Sequence, residues 1–302
     1  MPYADSYSVG HRWIALQSRS PLPSGSTGKI KRHGIHSLTP SFSLVLNTQN
    51  KYSYKSVINL TYYSPDTAQE WLNSRAETIH TDAQRTEEWL NEIGIDSTTN
   101  QWLVDQTWKR ALSNMIYKDL LATDSDNQRV VEIGGDLNAI TLKLAKQHDY
   151  TLIETAHHEG PQAYTTVEDE LGESFVTLGD WSSVVPPNEI DVLIANDLFP
   201  NVDNRLYEFI DTYLPRTSEL RLALTYYENK SFEVERTETG EHLFVRAWGV
   251  REIRHWLEYL QQEWPSVICS YETDAVKYKQ QPQLFDNDRN IIQVTITKEE
   301  SA

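Results

Sequence analysis

From about residue 128 onward, short apolar runs alternate with segments of helical periodicity. Runs rich in β-branched residues are typical of buried strands, and they fall at 129–134, 151–155, 175–178, 190–195, 220–227, 267–271 and 291–297. Between them, apolar positions at helical spacing predict helices over 139–147, 161–172, 202–214 and 250–264. This order predicts an α/β fold with a mostly parallel seven-stranded sheet. A polar segment without helical spacing, 277–289, precedes the last run, so we expect the last strand to be antiparallel.

The first 125 residues have a different pattern. Segments 66–93 and 99–122 have helical periodicity, and segment 41–63 alternates like a strand hairpin. We therefore expect residues 1–125 to form a mainly helical N-terminal cap with a small β element, and residues 126–302 to form the α/β domain. Within that domain, 229–248 alternates around a glycine-containing turn, which predicts an inserted hairpin. This hairpin is either a flap over a site or an edge decoration.

Two adjacent glycines mark the candidate ligand site. Gly134 and Gly135 follow the first apolar run, which contains the acidic residue Glu132, and a helical segment comes next. In parallel α/β sheets such a strand–turn–helix unit holds nucleotide-like ligands at the carboxyl edge. Glycine suits the turn because it has no Cβ to block the ligand or forbid positive φ. The alternative is an ordinary turn that binds nothing.

Side chains suited to one extended ligand follow the next strands. Glu154 ends the second run, about 20 residues after the first acidic residue, where a carboxylate accepts hydrogen bonds from ribose hydroxyls. Asp180 and Trp181 follow the third, and they suit an exocyclic amine and an adenine ring. Asn196 and Asp197 follow the fourth. Strand-end acids are also common helix caps, so each residue has a structural alternative.

Together these residues resemble the class I S-adenosylmethionine (SAM) dependent methyltransferases over about residues 126–302. The family pattern is Glu/Asp-x-Gly-x-Gly-x-Gly; Glu132 and Gly134 match it, Gly135 is additional, and Asp136 and Asn138 replace later glycines. A nicotinamide-binding Gly-x-Gly-x-x-Gly motif fails at two of its three positions. The resemblance implies a Rossmann-like sheet with SAM as cofactor.

The resemblance also assigns parts of SAM to residues. Glu132, Gly134, Gly135 and Asp136 would lie at the methionine part, with Asp136 suited to bind the α-ammonium group. Glu154 would hold the ribose.

Asp180 and Trp181 would hold the adenine. The segment Asn196–Phe199 loosely resembles the Asn-Pro-Pro-Tyr/Phe box of amino-methylating relatives. In that box the Asn orients the target nitrogen and the aromatic ring stacks on it, so Asn196 and Phe199 are assigned to the reactive end.

Residues at the ends of the fourth and fifth strands are the catalytic candidates. If the acceptor's proton must be removed, Asp197, Tyr226 or Tyr227 would act as base. The two tyrosines also offer aromatic faces to a sulfonium ion. As buried tyrosines at a strand end, they could equally be core residues.

The composition narrows the partners. The chain has 27 basic and 44 acidic residues, a net charge of −17, which disfavours nucleic acids and anionic membranes. A single cysteine, Cys269, rules out an intrachain disulfide and a cysteine zinc site, and we expect no metal. Neither a signal-peptide pattern nor an 18-residue apolar window is present, so we expect a cytoplasmic protein. A homodimer is left open.

Three functions fit these observations. The first is methyl transfer from SAM to a small-molecule acceptor, in specialised metabolism. The second is SAM-consuming chemistry without methyl transfer, in which the amine of SAM cyclises to azetidine-2-carboxylate and releases methylthioadenosine. The third is a non-catalytic SAM-binding or interaction protein. Prolonged incubation with SAM alone separates the second from the others, because only cyclisation needs no acceptor.

Overall fold

A computed structural model describes most of the chain from residue 55 onward. The described ranges are 55–62, 65–117, 119–200, 202–227, 230–235, 242–264, 267–270 and 290–299. The predicted hairpin at 41–63 therefore lies outside the described residues except for 55–62, and the whole polar segment 277–289 lies outside them.

The described part of the chain contains ten strands, seven α-helices and a short 3₁₀ helix, Leu214–Arg216. The strands are β1 (Lys55–Tyr62), β2 (Arg129–Ile133), β3 (Asp149–Glu154), β4 (Val176–Leu178), β5 (Ile190–Asn196), β6 (Thr217–Tyr226), β7 (Phe232–Glu235), β8 (His242–Val245), β9 (Val267–Ser270) and β10 (Asn290–Glu299). The helices are α1 (Pro65–Glu92), α2 (Thr98–Asp105), α3 (Thr107–Tyr117), α4 (Ala139–Gln147), α5 (Pro161–Leu171), α6 (Leu206–Tyr213) and α7 (Val250–Glu263).

Eight of these strands form one mixed sheet in the order β4-β3-β2-β5-β6-β10-β1-β9. Neighbours pair in parallel except at β10, which is antiparallel to both β6 and β1. The predicted α/β class, with a Rossmann-like, mostly parallel sheet and an antiparallel last strand, is confirmed. The strand count differs, because β1 from the N-terminal region lies between β10 and β9 and makes the sheet eight-stranded. Local alternation predicts a strand at this position but not its distant partners.

The sheet is covered on both faces. Alternate residues of β2 show this, since Val130 belongs to a core shared with α1, α3, α4 and α5, whereas Val131 and Ile133 belong to a core shared with α6 and α7. Buried parallel strands read as near-continuous apolar runs because both of their faces are covered. This is why the sequence locates β2, β3 and β5 closely.

Two helix predictions need correction. The sequence predicts one helix over 99–122, but Gln106 is extended, with φ −111° and ψ 104°, and it separates α2 from α3. Both helices keep the same periodicity, so the pattern hides the break. The helix predicted over 202–214 begins only at Leu206, because Asp203 accepts a bond from the Arg205 N–H in a preceding loop.

The hairpin residues form a sheet of their own. Within the described residues β7 pairs with β8 in antiparallel fashion, with Phe232 opposite Val245, and the turn between them lies outside the described ranges. The backbone N–H of Trp248 donates to the Tyr227 carbonyl at 2.9 Å. This backbone hydrogen bond joins the segment after β8 to the residue that follows β6.

The direction of chain progression reverses at β2. The chain passes from β2 to β3 and β4 on one side, and then returns to β5 and β6 on the other. In open α/β sheets the carboxyl ends of the strands at such a switch point border the ligand-binding crevice. The loops after β2, β3 and β5 all lie at this edge.

Candidate functional site

The turn after β2 is fixed by its own backbone and by the start of α4. Gly134 has φ +70° and donates its N–H to the Ile153 carbonyl at 3.0 Å. Asp136 has φ +42°, and its carbonyl accepts a 2.7 Å bond from the Thr141 hydroxyl. Asn138 caps α4 by accepting from the Ile140 N–H at 2.9 Å. The turn thus begins and ends on fixed hydrogen bonds.

Glu132 lies directly beneath this turn. Its side chain is only 2% exposed, and a Cβ on Gly135 would overlap its carboxyl group. The Tyr117 hydroxyl donates to Oε1 at 2.5 Å, and the Tyr150 hydroxyl donates to Oε2 at 2.8 Å. Burial raises the pKa of Glu132 to about 7, although the two tyrosine bonds favour the charged form. Glu132 therefore supports the turn from below, and its direct contact with a ligand stays a prediction.

Glu154 ends β3 with its carboxyl group held in one orientation. Its Oε1 accepts from the N–H groups of Thr155 at 2.8 Å and Ala156 at 3.0 Å. Ala156 has φ +58°, which an alanine rarely adopts. Oε2 has no hydrogen-bond partner within the described ranges, so the carboxylate keeps one acceptor oxygen for a ligand.

Asn196 ends β5 with an unusual side chain. Its Nδ2 donates to the Tyr117 hydroxyl oxygen at 3.4 Å. Its Oδ1 is buried and has no hydrogen-bond partner in the described part of the chain. Buried polar atoms are nearly always paired, so an unpaired one at a ligand-binding edge points to a missing donor.

Asp197 is the third non-glycine residue with positive φ, at +62°. Its Oδ1 accepts from the Thr225 hydroxyl at 2.6 Å, and its Oδ2 lies 3.2 Å from the Lys109 ammonium. That ammonium also lies 5.0 Å from the ring centroid of Trp102 and 4.8 Å from that of Trp108. The N-terminal helices α2 and α3 thus reach over the end of β5.

Residues with a strained backbone conformation lie at the switch point. The three described non-glycine residues with positive φ are Asp136, Ala156 and Asp197, and they follow β2, β3 and β5 respectively. Such conformations cost about 1–3 kcal/mol each and persist where the surroundings impose them, which is characteristic of functional sites. All three lie in loops at the same edge of the sheet.

The predicted adenine residues contact another side chain in this structure. The Arg205 guanidinium bonds both oxygens of Asp180, at 3.1 and 2.8 Å, and lies 4.6 Å from the Trp181 ring centroid. Arg205 also bonds Asp203, which accepts the Trp181 indole N–H at 2.8 Å. The bonds from Arg205 hold the pKa of Asp180 well below its usual range. That Asp180 and Trp181 hold the adenine of a ligand stays a prediction.

The aromatic candidates lie deeper than the sequence suggests. Phe199 has no exposed surface and packs on Trp181 and Phe209 in the core against α6. Tyr226 is buried against Trp248, with ring centroids 6.2 Å apart, and half-buried Tyr227 contacts Phe232 of the hairpin at 5.0 Å. The structure therefore brings Gly134, Glu154, Asn196 and Asp197 to one edge but places Phe199 inside the core.

Four residues that the sequence does not single out form hydrogen bonds that fix the predicted site residues or the loops around them. They are Tyr117, Tyr150, Lys109 and Glu159. Glu159 follows β3 and accepts bonds from Ser97 and Thr99 at 3.2 and 3.3 Å, so it ties α2 to the site loop. Burial raises the pKa of Glu159 to about 7. None of the four belongs to a motif, because each partner lies far away in the sequence.

Within the described ranges, no group of three or more His, Cys, Asp or Glu residues is arranged to hold a metal ion. No described helix is both long and apolar enough to cross a bilayer.

Comparison with known proteins identifies similar folds only among solved structures. No family model matches the chain, and no curated protein matches it. The DhpI–SAM–HEP complex is 10% identical, with a TM-score of 0.41 over 76% of this chain and 96% of that one. The plantazolicin methyltransferase BpumL in complex with SAH is 12% identical, with a TM-score of 0.41 over 76% and 99%. Coclaurine N-methyltransferase bound to N-methylheliamine and SAH is 13% identical, with a TM-score of 0.41 over 78% and 90%.

These likenesses are distant, and the fold rests on the strand order, the antiparallel β10 and the switch point at β2. The protein has a Rossmann-like α/β fold with a candidate ligand site at the carboxyl edge of β2, β3 and β5.

Proposed function

We propose that the protein is a SAM-dependent methyltransferase that acts on a small-molecule acceptor. One observation carries the proposal: the switch point gathers a glycine turn, an oriented carboxylate and an unpaired amide oxygen at one edge. These groups are Gly134, Glu154 and Asn196. They follow β2, β3 and β5, the strands whose ends the sequence resemblance assigns to the amino-acid, ribose and reactive parts of SAM. Similar structures named above were solved with SAM or SAH, the ligands assigned here.

The residues present fit SAM in three respects. Glu154 keeps Oε2 as an acceptor for ribose hydroxyls while Oε1 is held by the loop. Asn196 offers a buried oxygen that lacks a donor. Gly134 has φ +70°, a conformation that suits glycine, and without a Cβ its backbone can approach a ligand. SAM would therefore lie across the carboxyl ends of β2, β3 and β5.

Adenine binding at Asp180 meets one existing contact. Oδ2 of Asp180 accepts a single bond, from Arg205 at 2.8 Å, so the adenine amine can share this oxygen or take the place of Arg205. Arg205 keeps a partner when this happens, because it also bonds Asp203 through Nε at 3.0 Å and Nη2 at 2.6 Å. The exchange replaces an exposed ion pair, which contributes little stability, so its cost is small.

When bound, SAM supplies an electrophilic methyl carbon on a sulfonium. The protein's part is to align the acceptor and exclude water, which are the main sources of acceleration for such a displacement. Asp197 and the strand-end tyrosines remain the candidate bases. Both oxygens of Asp197 are engaged, by Thr225 and Lys109, so its geometry favours orienting an acceptor over taking its proton. An amine acceptor delivered unprotonated needs no base at all.

The small-molecule assignment rests on charge and geometry. The net charge of −17 repels phosphate backbones at long range. The described side chains that cover the end of β5 include two indoles and one ammonium, and that ammonium is paired with the Asp197 carboxylate. Such a surface suits a compact acceptor better than a nucleic acid.

The first test separates methyl transfer from SAM cleavage. Purified protein is incubated with SAM and no acceptor, and the products are followed by mass spectrometry, while SAH binding is measured by calorimetry. We expect SAM to stay intact and SAH to bind. Accumulation of methylthioadenosine above a protein-free control would instead establish the cyclising reaction. Absence of SAH binding would refute both.

The second test asks whether binding uses the assigned site. E154Q removes the charge that would accept the ribose hydroxyls, and we expect SAH affinity to fall about tenfold or more. E173Q makes the same chemical change at an exposed position after α5 and serves as the matched control. Equal SAH affinity in both variants would place the ligand elsewhere.

A further inference from the structure

We propose that Tyr117, which comes from the N-terminal helix α3, is a positioning residue for the ligand site. It orients the Asn196 amide so that its Oδ1 accepts a hydrogen bond from the α-ammonium group of SAM. This inference rests on the proposed function and deepens it. It transfers Asn196 from the reactive end, to which the sequence resemblance assigns it, to the recognition of the amino-acid part, through a hydrogen-bond relay from Glu132 by way of Tyr117 to Asn196.

The direction of the relay follows from the number of protons available. Tyr117 is 2% exposed, and its single hydroxyl proton goes to Glu132 Oε1 at 2.5 Å. The hydroxyl oxygen can then only accept, and it faces Asn196 Nδ2 at 3.4 Å. The amide of Asn196 is therefore held with Nδ2 toward Tyr117 and Oδ1 away from it. Above its pKa of about 7, the ionised carboxyl group of Glu132 can only accept, and it thus sets the orientation of an amide at the end of the adjacent strand β5.

The unpaired oxygen belongs to the residue that ends β5, the strand beside β2 and its glycine turn. β2 and β5 are adjacent and parallel, with Glu132 level with Ile194. If this register is continued by two residues, Asn196 at the end of β5 falls opposite Gly134, the first residue after β2. A buried amide oxygen without a donor is costly, so a ligand N–H at this place gains more than an ordinary surface hydrogen bond. The amino-acid part of SAM is the portion assigned to the turn.

The surrounding charges favour a cation as the donor. Burial and the charges of Glu132 and Asp136 raise the pKa of Tyr117, so these two acidic groups lie within electrostatic reach of the residue that bonds Asn196. They belong to β2 and to the turn that follows it, next to the end of β5. A protonated amine is attracted there, whereas a neutral donor gains nothing from the charges.

The chain contains a natural control for Tyr117. Tyr150 is also a buried tyrosine, 5% exposed, and it donates to the other oxygen of Glu132 at 2.8 Å. Its hydroxyl makes no bond to Asn196. Y117F and Y150F thus each remove one bond to the same carboxyl group, and only Y117F releases the amide.

The experiment compares two probes that differ in the amino-acid part. SAH carries the α-ammonium group, and methylthioadenosine lacks it. Calorimetry on the full chain is expected to show SAH affinity falling about tenfold in N196A and about fivefold in Y117F, with less than a twofold change in Y150F. Methylthioadenosine affinity should change less than twofold in all three. The double variant Y117F/N196A should bind SAH no more weakly than N196A, because both changes break one relay.

The outcomes separate this inference from the proposed function. Urea midpoints of Y117F and Y150F should fall by similar amounts, so a difference in SAH affinity cannot be attributed to stability. Equal effects of Y117F and Y150F on SAH, or equal loss of SAH and methylthioadenosine affinity in Y117F, would overturn the positioning role while SAM binding stands. Wild-type protein that binds methylthioadenosine and SAH equally would overturn recognition of the ammonium group. Failure to bind either probe would refute the proposed function itself.

Discussion

Replacing the buried carboxyl group of Glu132 by an amide should change how the stability of the protein depends on pH. Glu132 lies under the glycine turn, and burial raises its pKa from 4.5 to about 7. E132Q keeps the size and most of the hydrogen-bonding capacity of the side chain but cannot ionise. The variant therefore isolates the free energy of placing a charge beneath the turn.

The sign follows from proton binding in the two states. Below the unfolded pKa of 4.5 the carboxyl group is protonated in both states, and its contribution to stability is fully present. Between 4.5 and 7 the folded state holds a proton that the unfolded state has lost, so stability falls as the pH rises. Above 7 the loss is complete, and the shift corresponds to about 3 kcal/mol. The amide variant does not undergo this loss.

The assay is urea unfolding of wild type and E132Q at pH 5 and pH 8. The free energy of unfolding of E132Q relative to wild type should rise by about 2 kcal/mol between the two pH values, whatever its absolute value at pH 5. E173Q, at an exposed position, controls for the removal of one carboxyl group. If wild type and E132Q change in parallel with pH, Glu132 is not held in its neutral form by burial, and the reasoning fails.

Two further predictions test the contacts around the site. K109M removes the ion pair with the carboxylate after β5 and two cation–π contacts while it keeps the aliphatic packing, so thermal unfolding should show a loss of about 1 kcal/mol. K146M at an exposed lysine of α4 is the control, and equal melting temperatures would contradict the contacts. G135A should cost about 2–3 kcal/mol in urea unfolding, because the added Cβ would overlap the buried carboxyl group beneath it. G94A, where a Cβ meets nothing within 4 Å but φ is +80°, should cost only about 1 kcal/mol, and a smaller loss in G135A than in G94A would refute the overlap.

The central strands and the glycine turn could be predicted because their signals are local. β2, β3 and β5 are buried on both faces, so each reads as a short apolar run. Gly134 follows such a run directly and takes φ +70°, as a turn of this kind needs. Residues that end parallel strands must meet at one edge, and for this reason Glu154 and Asn196 could be assigned to the same edge from the sequence.

The contacts between distant segments could not be predicted in this way. Arg205 follows Asp180 by 25 residues and bonds it from a polar loop that carries no motif. Tyr117 lies 79 residues before Asn196, on a helix whose pattern indicates only that one face is apolar. Phe199 belongs to a candidate motif, yet its ring lies in the core against α6. The sequence could not distinguish these two positions, because core packing and ligand stacking require the same type of residue.

The N-terminal region takes part in both the sheet and the site, and this links stability to binding. β1 pairs with β10 along eight residues, and among the described elements β9 pairs with β1. Without β1, the edges of β9 and β10 would present unpaired backbone groups. The same region supplies Tyr117 beneath the turn and Lys109 over the end of β5. A change in α3 therefore acts on the packing of the fold and on the ligand site together. Loss of activity in such a variant therefore shows nothing about ligand recognition unless it is compared with a second variant of equal stability. Y117F and Y150F allow this comparison.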